Sequence, residues 1–113
     1  VSTTIELSKP LPTTKGGQVS ALTFREPLYE DYLLLGDPRL PVIVNDSVVL
    51  QKLPEVIGKY AERLVEGNVV STMIARLPLL DGLKVERAIL GFFAAADGAR
   101  VSDNPAVVPG ADA

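Results

Sequence analysis

The chain has 113 residues, 47% of them apolar, a net charge of −3, and neither His nor Cys. That length fits one domain with a thin core. The composition excludes disulfides, zinc sites built from thiolate or imidazole, and histidine or cysteine catalysis. An acidic chain with scattered Lys and Arg also lacks the basic stripe that nucleic acid or an anionic membrane surface selects. With three Phe, three Tyr and no Trp, the core is poor in large aromatics. The remaining apolar surface is then available to a partner protein. No apolar run approaches the ~20 residues of a bilayer span, and no basic segment leads into an apolar one as in a signal peptide.

Taken in chain order, residues 3–8 alternate around Ile5 and Leu7 and predict a short strand, which Pro10 and Pro12 should end. Thr13 to Gln18, with Gly16 and Gly17, is a turn signal. Residues 18–26 alternate again through Val19, Ala21 or Leu22, and Phe24, which predicts a second strand and a β-hairpin. Pro27 suits the first turn of a short helix whose apolar face is Leu28, Tyr32 and Leu35. Glu30 and Asp31 lie in its first turn and Gly36 closes it. Residues 36–47 form a punctuated loop in which Val42–Val44 are either extended or anchored in the core. Asn45, Asp46 and Ser47 are N-cap types. They predict a helix through Val49, Leu53, Val56 or Ile57, Tyr60 and Leu64, with a kink or a late start at Pro54 and an end at Gly67. Asn68 caps a further short helix through Val69, Val70, Met73, Ile74 and Leu77. Asp81 caps the last helix, whose buried stripe is Val85, Ala88, Ile89, Phe92, Phe93 and Ala96, and Gly98 closes it. The expectation is a single α+β domain over 1–97: an N-terminal β-hairpin (about 3–26), then a small bundle of three to four helices (about 27–97). Residues 98–113 are expected to be a flexible, disordered tail.

Chemistry has few candidates. Arg25, Glu26, Glu30 and Asp31 lie within seven positions, but adjacent carboxylates on a helix point about 100° apart and do not face a common substrate. The cluster reads as helix-dipole electrostatics with a local ion pair. Lys15–Gln18 lacks the spacing of a phosphate loop. Asp37, Asp46 and Asp81 lack the spacing of a calcium loop, and caps account better for the last two. Phe92 and Phe93 cannot both reach one spot on a helix. Either one packs on the core while the other meets solvent or a partner, or both are buried between layers. From the residues alone no catalytic constellation stands out, and the expectation is a small binding or assembly domain without metal, cofactor or small-molecule substrate; a small enzyme or ligand-binding domain using the Arg25, Glu26, Glu30 and Asp31 cluster is the competing reading.

The order of elements carries a resemblance. The hairpin TIELSKPL…GGQVSALTFREP, the short helix LYEDYLLLGDP and the segment ARLPLLDGLKVERAILGFFAA together resemble the tail assembly chaperones of tailed bacteriophages and prophages. The likeness runs from about Thr3 to Ala96: Arg25, Glu26 and Pro27 match the family's corner after the strand pair, and Asp81, Val85 and Phe92–Phe93 match its end. The proline-rich linker from Gly36 to Pro41, Pro54 and the Ala/Pro tail depart from it. The resemblance implies a non-catalytic assembly factor of the host cytoplasm, absent from the finished virion. It would bind the tape-measure protein and keep it soluble while the tail tube polymerises. Leu80, Ile89, Phe92 and Phe93 are the expected partner-binding side chains, Arg25, Glu26 and Pro27 a structural corner, and self-association along the client is expected. The alternative is a structural virion component, a minor tail or head-completion protein.

Overall fold

Alternating β-branched and polar residues build strand β1 (Thr3–Pro12), which pairs antiparallel with β2 (Gln18–Phe24). The structure, a computed structural model, describes residues 2–67 and 69–102. Pro10 and Pro12 do not end β1 as expected. The register slips between Glu6 and Leu11, and pairing resumes at Leu11↔Val19 and Pro12↔Gln18. An irregularity of this kind accommodates a proline that has no ladder donor. The turn is the expected glycine one: Thr13 N–H donates to Gly17 O (2.8 Å), and Gly16 takes φ 89°.

Helix α1 (Tyr29–Leu35) starts two residues later than Pro27 predicts, with Leu28 as its N-cap. Gly36 closes it at φ 83°, donating its N–H to Tyr32 O at 2.8 Å. Its predicted apolar face meets the core only at Leu35, which packs against it half-buried; Leu28 and Tyr32 are exposed, and the buried residue of this helix is Asp31.

The largest correction follows. Residues 39–52, expected as a loop and then a helix, form a second antiparallel hairpin of β3 (Arg39–Val44) and β4 (Ser47–Lys52); of the two readings of Val42–Val44 the extended one holds, while the helix expected from Ser47 onward is a strand as far as Lys52. Asn45 and Asp46 are not caps. Both have positive φ, 50° and 64°, the geometry of a two-residue type I′ turn whose twist matches the strands it joins. The flanking runs are rich in Val, Leu and Ile, which suit strands. The stretch 27–97 is therefore not helical throughout, and Val49 and Leu53 belong to no helix.

Helix α2 (Pro54–Leu64) makes the late start at Pro54, whose missing N–H costs nothing at the first helical position. Ile57, Tyr60, Ala61 and Leu64 are its buried stripe. It ends at Leu64 rather than Gly67. The segment leaving α2 then bridges to the β2 edge at Val65↔Phe24, with Arg25 N–H donating to Leu64 O (3.0 Å) and Glu66 N–H to Thr23 O (2.8 Å). The predicted cap Asn68 lies outside the described residues. The short helix after it is a 3₁₀ helix, Ser71–Arg76, and Val69 instead bridges to Thr13.

Helix α3 (Leu79–Ser102) passes through Gly98 without stopping, so the first part of the expected tail is helical. Residues 103–113 lie outside the described residues. The core joins the inner face of the first hairpin (Leu11, Leu22, Phe24) to α2, to Ile74 of the 3₁₀ helix and to Val85, Ala88 and Ile89 of α3. Among the described residues the architecture is α+β, with an N-terminal hairpin, a second hairpin, three α-helices and a 3₁₀ helix. Among the described residues no helix is long and apolar enough to cross a membrane.

Candidate functional site

The corner is a charge clamp. Asp31 is fully buried, and its carboxylate accepts from Arg25 Nη1 (2.8 Å) and Nη2 (3.1 Å), from Leu28 N–H (2.7 Å) and from Arg63 Nε on α2. Four donors use up the acceptor sites of a carboxylate and leave none for a substrate. The Arg25 guanidinium, helped by Leu28 N–H and Arg63 and opposed by burial, holds the Asp31 carboxyl well below the usual range. The same pairing raises Arg25. Glu30 is exposed, so the two adjacent acids diverge as their helical spacing requires. The cluster thus ties α1 to β2 and α2.

A second buried acid fastens the other side. Asp81 lies within the first turn of α3 rather than before it, and Gly82 N–H donates to Pro78 O at 2.9 Å. Its carboxylate accepts from Ser8 N–H at 3.0 and 3.1 Å and from Ser8 Oγ at 2.9 Å, in the irregular part of β1. Burial works against its charged form, but the bonds from Ser8 and Lys9, with Lys84 nearby, outweigh it and lower the pKa.

Between β1 and α3 runs an apolar-walled groove of ≈ 850 Å³. Thr3, Ile5, Glu6 and Glu26 line the strand side. Lys84, Arg87, Ala88, Gly91, Phe92, Ala95 and Ala96 line the helix side. Ala88, Gly91 and Ala95 recur at helical spacing, so small residues lie along one face of α3, with Lys84 one turn before them. A Cβ built on Gly91 would meet nothing within 4 Å, so the groove is open there. Lys84 Nζ donates across to Glu6 O at 3.1 Å.

The four predicted partner residues part company here. Phe92 lines the groove, and Leu80 is exposed near the start of α3. Ile89 is fully buried in the core. Phe93 meets Tyr60 edge-to-face with centroids 5.2 Å apart and carries the Arg39 guanidinium 5.4 Å from its ring centre. Both rings of the phenylalanine pair are half-buried against the core, as the second of the two readings has it, and Phe92 also forms part of the groove wall. Tyr60 donates to Gly36 O at 2.6 Å, and burial, with Asp37 and Asp31 nearby, pushes its phenol up to about 12. Ala96, placed in the buried stripe, is exposed.

Two things were not placed by the sequence reading: where an apolar groove lies, and the pairing of Val42–Val44 with the next run into the β3–β4 arm. Arg39 at the arm's base binds Asp37 (3.1 Å) and Asp97 of α3 (2.6 Å), while Lys52 binds Glu86 of α3 (2.7 Å). Asp37, Asp46 and Asp81 go to separate places, and among the described residues no group of three or more acidic side chains forms a metal cluster. The signal for the arm was the β-branched run on each side of Asn45–Asp46. Compared with protein-family models, with curated proteins and with solved structures, the chain finds no match.

Proposed function

We propose that the chain is a tail assembly chaperone of a tailed bacteriophage or prophage, a non-catalytic virion-assembly factor working in the host cytoplasm. Its client is the tape-measure protein, a long chain whose apolar helical stripes need cover until the tail tube closes around them. The observation that carries this reading is the groove between β1 and α3. Apolar side chains in a groove accept an amphipathic helix by packing, without strict sequence reading. The small face of Ala88, Gly91 and Ala95 lets a helix approach closely, and Phe92 offers an anchor. The ordered likeness from Thr3 to Ala96, with its Arg25–Glu26–Pro27 corner, supports the same reading. The net charge of −3 keeps many copies soluble along one client.

The test is co-expression with the long helical protein encoded beside this chain. The wild-type chain should raise that protein's soluble fraction and co-purify with it. Gly91→Phe fills the groove at a position where nothing obstructs a side chain. It should abolish co-purification while the chain keeps its wild-type melting curve. Equal capture by wild type and Gly91→Phe would remove the groove from the account, and no capture by either would remove the chaperone reading.

A second reading, a minor tail or head-completion protein, is favoured by the exposed β3–β4 arm, which suits subunit contacts. Mass spectrometry of purified particles separates the two, because a structural component is present at stoichiometric copy number.

A further inference from the structure

We infer that the β3–β4 arm is a self-association element, through which the β4 edge pairs antiparallel with the β4 edge of a second copy of this chain. The arm has no support of its own. Every residue of β4 is exposed, and Ile43 and Val48 are 78% and 70% exposed. A lone two-stranded hairpin is marginal in water, and three or more strands are the usual minimum. Yet the arm is not a loose loop, because Arg39 and Lys52 fasten its base to α3. It is held out as a fixed apolar ribbon.

Its two edges differ. In a two-residue hairpin the pair flanking the turn, Val44↔Ser47, is hydrogen-bonded, and bonded and non-bonded pairs then alternate. Pro41↔Leu50 and Ile43↔Val48 are therefore non-bonded pairs, whose backbone groups face outward. On the β3 edge the central outward donor is missing, because Pro41 has no N–H. Such a proline blunts an edge against further pairing. On the β4 edge Val48 and Leu50 present complete donor–acceptor sets with no proline and no charge between Ser47 and Gln51.

Charge selects the partner and the register. Between Arg39 and Lys52 the arm carries one charge, Asp46 at the tip. A two-fold axis through Val49 pairs Val48 with the second copy's Leu50 and Leu50 with its Val48. In the same register each Asp46 lies opposite the other copy's Lys52, twice over. A helical client has no free backbone groups to offer this edge, whereas a second β4 has the matching set. The seam is about 20 Å long and covers roughly 400 Å² per copy. That is below the ~800 Å² of a standard stable interface, so the dimer is concentration-dependent. It makes a four-stranded sheet, β3-β4-β4-β3.

This inference stands apart from the identity of the client, because the purified chain alone tests it. Sedimentation velocity across a dilution series should show a reversible monomer–dimer equilibrium. Leu50→Pro removes the outward N–H from each copy without touching the β3–β4 ladder, and should weaken dimerisation about 30-fold. Val49→Lys sets like charges opposite each other on the axis and should also yield monomer. The chain has no Cys, so Val49→Cys supplies a single thiol. In this register it meets its own copy in a non-bonded pair, about 4.5 Å between Cα atoms, which fits a disulfide. It should oxidise to a covalent dimer, and Ile43→Cys on the blunted β3 strand should not. A wild-type chain that stays monomeric at every concentration overturns the proposal. So does dimerisation unaffected by both Leu50→Pro and Val49→Lys, or equal crosslinking at 43 and 49.

Discussion

The two hairpins have the same secondary structure and opposite surroundings. In β1–β2, Leu11, Leu22 and Phe24 are buried against α2 and α3, and the segment leaving α2 bridges to the β2 edge. In β3–β4 no residue is buried, and Arg39 and Lys52 at the base tie the strands to α3. A strand's apolar residues stabilise the fold only to the extent that another element covers them. The first hairpin is therefore part of the core, while the second is exposed apolar surface.

The sharpest way to break this comparison is truncation in each hairpin. Phe24→Ala removes a fully buried ring from the core and should cost about 3–5 kcal/mol, enough to unfold much of a small domain. Ile43→Ala removes an exposed side chain and should shift stability by less than about 0.5 kcal/mol. Urea denaturation followed by circular dichroism, at a concentration where the chain is monomeric, measures both. Equal losses would mean that the arm is packed on the body after all.

A smaller effect separates the corner from the arm. Both use Arg–Asp pairs, but Asp31 is fully buried and saturated, whereas Arg39's partners Asp37 and Asp97 are about one-third exposed. Asp31→Asn should cost about 2–4 kcal/mol, because it removes the charge on which Arg25 and Arg63 converge. Its pH signature has a fixed sign. The folded carboxyl is depressed, so its contribution is complete above the unfolded value near 4. It is lost as pH falls from there toward the folded value. Wild type should lose stability between about pH 4 and 2, and Asp31→Asn should lose less over the same interval. Parallel curves for the two proteins would show that Asp31 is not what acid titrates.

What could be read from the sequence follows the same division. Helices α2 and α3 announce themselves because Ile57, Tyr60, Ala61 and Leu64, and then Val85, Ala88 and Ile89, recur at helical spacing and face a core. The first hairpin is legible from Ile5, Leu22 and Phe24 and from the Gly16–Gly17 turn. The arm is not, because its residues are apolar on both faces. Val49 and Leu53 fall in step with α2, and Asn–Asp–Ser serves a cap as readily as a turn. The Asp31 clamp was visible only in part. Arg25 is near in sequence, but Arg63 lies 32 residues away and meets Asp31 only through the packing of α2 on α1. The groove depends on how far α3 stands from β1, which no local pattern encodes. It was approached through Phe92, yet Ile89, one turn earlier, points into the core.

The smallest expected effect probes the turn that makes the arm an arm. Asn45 and Asp46 both sit in the left-handed region, at φ 50° and 64°. Asn and Asp tolerate that region better than other side chains, and glycine is freer still. Asp46→Gly creates the preferred Asn-Gly type I′ turn and should stabilise the hairpin by about 0.5 kcal/mol. Because the arm is outside the core, that gain belongs in the hydrogen-exchange protection of the Val42 and Val49 amides, about twofold slower, with the global melting curve unchanged. The same change removes the charge set opposite Lys52 of a second copy, so it should loosen the dimer while tightening the monomer's arm. Opposite signs for those two readouts require a seam in which the tip of one arm meets the base of another. If dimerisation strengthens along with the turn, Asp46 does not face Lys52, and the two-fold axis does not pass through Val49.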